Sequence, residues 1–262
     1  MKVALYGATG RMGLAIARLV HQASDLELVG AACAPNDPAA GQDIGVLAGL
    51  GHIGVEASPD ASAALLGADV VIDFSNAAAV VALASLVVKH KVALMSGTTG
   101  LEGPAKEALE KAAQQVPVLW APNTSLGVQV LAELVEQAVR RLGSEFDVEI
   151  VEIHHKKKQD SPSGTAKRLA DAVKVVRPAM REVYGREGMV GARTEEEVGV
   201  FGVRGGDVIG DHTVYLLGPG ERIELTHRSA SREMLANGAV RATRFIAKQK
   251  PGKLYRIADV LG

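Results

Sequence analysis

Short apolar runs alternate with helix-length segments through the first 121 residues, and that rhythm leaves few folds open. Val3–Tyr6, Leu26–Cys33, Val70–Phe74, Val92–Ser96 and Val116–Ala121 read as strands, with helices predicted over Leu14–Val20, Ala77–His90 and Pro104–Gln115. Runs this short, with helices between them, need crossover connections. They predict βαβ units and a parallel sheet.

The pattern changes after Asn123. Leu126–Leu142 is apolar at helical spacing and reads as one long helix. Asp147–His155 alternates, with Val148, Ile150 and Ile153 apolar and Asp147, Glu149 and Glu152 polar, as in a strand with one wet face. Val198–Arg204, Asp211–Leu217 and Arg222–His227 read as further turn-linked strands, so an antiparallel meander is expected. The last helix is predicted over Ser231–Lys248, with Ser231 as its cap, and is expected to pack back on the first domain. Gly185–Glu197 is polar and is expected to be a mobile loop.

Composition excludes several classes. A chain of 262 residues with 47% hydrophobic residues is long enough for a large core. Net charge is −1, so no global basic field draws nucleic acid or a membrane surface. Cys33 is the only cysteine, which rules out an intrachain disulfide and a CxxC site. The expected location is therefore reducing and cytoplasmic. No uncharged apolar run approaches the ~20 residues of a membrane span. No metal site is expected.

Three loops fall at predicted strand ends. Gly7-Ala8-Thr9-Gly10-Arg11-Met12-Gly13 opens a helix, where glycines let a pyrophosphate approach the backbone and the helix N-terminus favours it. Gly97-Thr98-Thr99-Gly100 and Ala121-Pro122-Asn123-Thr124 are the others. In open parallel sheets ligands bind beyond the carboxyl ends of strands, so three small-residue loops there can line one crevice. Good turns would need the same residues. The acid that usually closes the second strand over the ribose is missing near Ala34-Pro35-Asn36. Asp37 lies beyond a proline, and Arg11 could reach a 2′-phosphate, so NADH and NADPH both stay open.

The densest chemistry is His154-His155-Lys156-Lys157-Lys158 and the following Ser161-Pro162-Ser163-Gly164-Thr165. A charge run is usually just a solvated face. Two histidines at a strand end, followed by a helix-opening turn, say more. Lysines and the amides of Gly164 and Thr165 suit an anion, and histidine moves protons near neutral pH. The pattern predicts a small carboxylate substrate and a proton transfer.

These residues resemble those of the 4-hydroxy-tetrahydrodipicolinate reductase (dihydrodipicolinate reductase) family of diaminopimelate and lysine biosynthesis. The resemblance runs in one order through 7–13, Asp73-Phe74-Ser75, 97–100, 121–128, 152–166, 201–207, 210–213, 224–232 and 237–241. It implies an NAD(P)H-dependent oxidoreductase with a Rossmann-like α/β domain (1–125 and 235–262) and an α+β domain (126–234) with a mainly antiparallel sheet. It implies His154 and Lys158 as catalytic residues, the lysine donating a proton. His155, Gly164 and Thr165 would hold the carboxylates of a cyclic dicarboxylate. Gly7, Ala8, Thr9, Gly10, Arg11, Met12, Gly97, Thr98, Thr99, Ala121, Pro122, Asn123 and Thr124 would hold NADH or NADPH. A homotetramer joined through the second-domain sheets is implied, with hinges near 123–127 and 229–234. The chain departs from the family where Ala34 replaces an acid and Thr124 replaces an aromatic ring. An aspartate- or homoserine-dehydrogenase-like enzyme and a non-catalytic dinucleotide sensor are the competing expectations.

Overall fold

A computed structural model describes residues 1–231 and 233–262. Arg232, inside the motif at 224–232, lies outside the described residues. The chain divides into two compact units, Met1–Thr124 with Glu233–Gly262, and Ser125–Arg232.

The first unit holds a seven-stranded parallel sheet. Its strands are β1 (Lys2–Tyr6), β2 (Glu27–Ala32), β3 (Ala57–Ser58), β4 (Val70–Asp73), β5 (Ala93–Ser96), β6 (Val118–Trp120) and β12 (Leu254–Tyr255). The order is β12-β6-β5-β4-β1-β2-β3, so the chain winds outward in two directions from β1. β4 and β5 are buried at every position, as strands covered on both faces must be. Leu83 and Val87 of helix α4 (Ala77–His90) and Leu109 of helix α5 (Pro104–Ala113) pack in one core with Val71, Leu94 and Val118. Helix α1 (Arg11–Gln22) packs with helix α8 (Glu233–Ile246), which also contacts β4, β5 and β6. Two short helices, α2 (Ile44–Ala48) and α3 (Ala61–Ala64), lie in the connection from β2 to β4 and had no periodicity long enough to announce them.

The second unit is a five-stranded sheet backed by helices α6 (Leu126–Leu142) and α7 (Gly164–Val176). Its strands are β7 (Asp147–His154), β8 (Arg181–Val183), β9 (Glu197–Arg204), β10 (Asp211–Gly218) and β11 (Glu221–Arg228), in the order β11-β10-β7-β9-β8. The meander expected from the sequence is not formed. Only β10 and β11 make a hairpin; β7 lies between β9 and β10, antiparallel to β10 and parallel to β9. The sheet is therefore mixed. Leu169 and Val173 of α7 and Val135 and Val139 of α6 share a core with Val148, Ile150, Val198, Val200 and Val214.

The 185–196 segment is a loop, pinned to the sheet at two points: Arg186 pairs with Glu149 at 3.0 Å, and Arg193 bonds Asp147 at 2.6 Å and Glu149 at 2.9 Å. One sequence expectation is corrected here. The alternation of β7 runs differently near its end. Val148, Ile150, Glu152 and His154 form the buried face, and Ile153 lies on the half-exposed one. Side chains two apart share a face of a strand, so Glu152 continues the core face despite its charge.

Candidate active site

In the first unit, β1 ends in the Gly7–Gly13 turn. Gly7 has φ +76°, and a Cβ there would lie 2.7 Å from the Phe74 carbonyl oxygen. Only glycine fits both demands. The Gly7 and Ala8 N–H groups donate to the Ala32 carbonyl at 3.0 Å, which stitches the turn to the end of β2. Gly10 caps α1 with no side-chain hydrogen bond, and the first turn carries no acid. That helix end is left for an external anion.

The loops after β4 and β5 are fixed by one buried carboxylate. Asp73 is 0% exposed. It accepts Ser75 N–H at 3.0 Å, Ser75 Oγ–H at 2.5 Å, Ser96 Oγ–H at 2.6 Å and Thr98 Oγ1–H at 2.8 Å. Burial nonetheless keeps its pKa above the usual value, against the pull of these donors. Trp120 Nε1 donates to the Thr98 carbonyl at 2.9 Å and ties in the end of β6. Thr124, where the family resemblance led us to expect an aromatic ring, is buried and donates to the Leu235 carbonyl at 2.7 Å.

These loops enclose a cleft of about 440 Å³. It is lined by Gly10, Arg11 and Met12, by Gly97, Thr98 and Thr99, and by Pro122 and Thr124, with Phe74, Ser75 and Leu235. Gly7, Ala8, Thr9, Ala121 and Asn123 are not in that lining. Gly7 shapes the turn, Ala8 and Ala121 are buried beneath it, and Thr9 faces Asp37. A glycine turn against β2, an uncapped helix N-terminus and a cleft at four strand ends fit a dinucleotide.

In the second unit, sheet register gathers a polar cluster around the end of β7. Glu152 stands opposite His212 of β10 and Gly202 of β9, and His154 stands opposite Arg204. Glu152 is 0% exposed. Its Oε1 accepts from Arg204 Nη2 at 2.9 Å and from the Ser163 N–H at 3.0 Å, and its Oε2 meets His154 Nδ1. Burial alone would raise its pKa, but Arg204, the Ser163 amide and His154 together hold it below the usual carboxylate range. Ser163 caps α7 by accepting from the Ala166 N–H, and its hydroxyl bonds His212 Nε2 at 3.0 Å. The His154 and His212 rings meet edge to face at 5.1 Å.

The two histidines are uncharged near neutral pH. Burial lowers the pKa of His154; Glu152 opposes this, and Lys158 and Arg204 reinforce it. Burial, helped by His154, takes His212 down to about 4. With Nδ1 against an ionised carboxylate, neutral His154 carries its proton there and presents Nε2 as an acceptor. A Cβ on Gly210 would come within 3.0 Å of that Nε2, so glycine keeps it open. Glu152, His154 and His212 have the donor types of a metal site, with ligand atoms within 4.8 Å. The Arg204 guanidinium already bonds Glu152 Oε1 at 2.9 Å, so a cation there would sit beside a positive charge.

Lys158 is half-buried and pairs with Asp160 at 2.9 Å, while Lys156 and Lys157 are exposed. His155 is half-buried and donates its N–H to the Val208 carbonyl at 2.7 Å. Gly164 opens α7, and a Cβ there would meet no protein atom within 4 Å, which leaves the space above Gly164 clear. Sequence reasoning missed Glu152, Ser163, Arg204 and His212 as site residues. Glu152 had a signal, its two-residue spacing from His154. The others depend on register and on a helix cap.

The comparisons agree with this geometry. The model of the N-terminal part of dihydrodipicolinate reductase matches residues 1–124, and that of its C-terminal part matches 127–261. The chain belongs to the dihydrodipicolinate reductase family. A 4-hydroxy-tetrahydrodipicolinate reductase of Anaeromyxobacter sp. (strain Fw109-5) is 51% identical, with 100% of this chain and 98% of that one covered. The one from Myxococcus xanthus is 44% identical, with 100% and 98% covered. The fold is shared with a solved dihydrodipicolinate reductase from Paenisporosarcina sp. TG-14 with dipicolinate bound. Its TM-score is 0.77 at 23% identity, over 98% of this chain and 97% of that one. Family membership sets aside the aspartate- and homoserine-dehydrogenase readings and the non-catalytic sensor. The chain is an oxidoreductase with a dinucleotide-binding Rossmann-like domain.

Acid should weaken this fold in a defined window. His212 takes up a proton at about 4 when folded and near 6.5 when unfolded, so the unfolded chain binds more protons between those values. Stability is full above pH 6.5 and is lost as pH falls toward 4. Urea midpoints measured from pH 7.5 to 4.5 should fall steadily, and His212→Gln should flatten the slope. An unchanged slope would contradict the assignment.

Proposed function

We propose that this chain reduces (2S,4S)-4-hydroxy-2,3,4,5-tetrahydrodipicolinate to (S)-2,3,4,5-tetrahydrodipicolinate with loss of water, using NADH or NADPH, in the cytoplasm as part of lysine biosynthesis through diaminopimelate. The observation that carries the reading is the end of β7. There a buried carboxylate fixes His154, the loop that follows carries Lys158, and Glu152 also anchors the cap of α7. The bound dipicolinate of the Paenisporosarcina structure is a ring dicarboxylate of the proposed substrate class.

The roles divide as follows. The cofactor, when bound, supplies a hydride to C4 of the substrate ring. Gly7, Ala8, Thr9, Gly10, Arg11 and Met12 hold its pyrophosphate end. Gly97, Thr98, Thr99, Ala121, Pro122, Asn123 and Thr124 shape the cleft beyond. His155 and the N-terminal turn of α7 at Gly164 and Thr165 take the substrate carboxylates, since amides at a helix start favour an anion. Loss of the C4 hydroxyl with a C5 proton as water leaves a C4=C5–C6=N system, and once hydride has added at C4, Lys158 gives a proton to C5 of the resulting enamine, which restores the C6=N bond of the product. His154, neutral with Nε2 outward, accepts a hydrogen bond or proton at that atom.

A homotetramer is part of the same reading. Helices α6 and α7 pack on the buried face of the five-stranded sheet. The opposite face carries Val151, Ile153, Phe201, Val203 and Tyr215, with Val203 47% exposed. An apolar strip of this kind, bordered by the charged Asp147 and Glu149, suits association. Sedimentation should give four times the 27.3 kDa chain mass, and Val203→Glu should shift it to smaller species. A wild-type monomer would rule the assembly out.

The catalytic assignment is tested with substrate generated by the upstream synthase. Lys158→Ala should lower kcat by roughly 10²–10⁴ while cofactor binding is kept, the loss expected for a general acid. Turnover near that of the wild type would remove Lys158 from the role.

A further inference from the structure

The end of β2 lacks the carboxylate that a Rossmann-like site normally sets against the adenosine ribose. Ala34 stands there instead and is exposed. The chain then turns, with the Asp37 N–H donating to the Ala34 carbonyl at 3.0 Å, and the turn carries a carboxylate back toward the glycine loop. Thr9 Oγ1 donates to Asp37 Oδ2 at 2.5 Å, and the Ala39 N–H donates to Oδ1 at 2.9 Å. Both carboxylate oxygens are thus located, and each retains an acceptor position.

The place is as informative as the contact. Thr9 belongs to the turn whose Gly7 and Ala8 amides bond the Ala32 carbonyl at the end of β2. The cleft lined by Thr98, Thr99 and Pro122 lies over the strands on the other side of β1. A dinucleotide with its pyrophosphate at the uncapped start of α1 runs in both directions from there. One half follows the cleft, and the other passes the end of β2, where Asp37 is held. The Thr9 hydroxyl and the Ala39 amide keep this half-exposed carboxylate ionised, below the usual Asp value.

We propose that Asp37 takes over the task of the missing strand-end acid: it accepts the 2′-hydroxyl of the adenosine ribose, repels a 2′-phosphate, and makes the chain prefer NADH to NADPH. This rests on the dinucleotide site of the proposed function. A carboxylate of charge −1 facing a phosphomonoester of about −1.5 to −2 is repulsive, whereas a hydroxyl gains an acceptor. Arg11, exposed at the start of α1, is the counterweight on the same turn. Without Asp37 it would be left to attract the phosphate. Thr9 is a positioning residue in this arrangement, acting through the carboxylate it holds.

The test is direct binding of NADH and of NADPH, by calorimetry and by nicotinamide fluorescence, without substrate. The wild type should bind NADH more tightly. Asp37→Ala and the isosteric Asp37→Asn should each weaken NADH about tenfold and leave NADPH unchanged or tighter, so that the ratio of the two Kd values falls tenfold or more. Thr9→Val should move the ratio the same way by less. Equal weakening of both cofactors in folded variants, an unchanged ratio, or a wild type that favours NADPH would each overturn the proposal. If discrimination holds but the dicarboxylate is not reduced, the substrate assignment fails and the role of Asp37 stands. If neither dinucleotide binds, both fail.

Discussion

A carboxylate buried at 0% exposure can persist in a protein only if its charge is met on all sides, and Glu152 is where the second unit meets that demand. Arg204 comes from β9, His154 from β7 itself, and the Ser163 amide from the loop before α7. Three separate pieces of chain therefore converge on one side chain. Removing any of them leaves a charge without its partner in the core. The same contacts that satisfy Glu152 orient the His154 ring and fix where α7 begins, so structure and site are held by one set of bonds.

The first unit solves a parallel problem with neutral donors. Asp73 at the end of β4 collects the hydroxyls of Ser75, Ser96 and Thr98. Its burial raises its pKa, whereas Glu152, with a guanidinium beside it, moves the other way. The difference follows from the partners: hydroxyl dipoles offset less of the desolvation cost than a full charge does. Both carboxylates sit at strand ends and each ties down the loops that carry ligand-facing residues. Rigidity is thus placed immediately behind the surfaces that must be shaped.

Much of the fold was legible because it is local. Helices α4 and α6 have the bounds that apolar spacing predicts, with Asn76 and Ser125 as side-chain caps. Helix α1 runs from Arg11, three residues before the periodic stretch, because the glycine turn carries no hydrophobic signal. The order of the five-stranded sheet was not legible. β9 lies beside β7, and β10 flanks β7 on its other edge, pairings that depend on how the intervening α7 crosses over. Glu152 was placed on the wet face because a glutamate breaks the apolar alternation. Its position makes sense only once Arg204, distant in sequence, is seen beside it. His154, Lys158 and the Gly164-Thr165 turn stood out in the sequence because no packing rule explains them together. Thr9 and Asp37 were each legible but not as a pair, since a hydrogen bond across a turn has no pattern to read.

The central claim is that burial keeps His154 neutral while Glu152 fixes its proton on Nδ1, which leaves Nε2 as the acceptor. Nitrogen-15 NMR of the histidine-labelled protein at pH 7 reads this directly, with His154→Gln used to assign the signal. The account predicts a pyridine-like Nε2 and a protonated Nδ1 for His154, unchanged until the pH falls below the ordinary histidine value of about 6.5. It also predicts that Glu152→Gln disturbs this tautomer. A charged His154 at pH 7, or a neutral ring with its proton on Nε2, would contradict it.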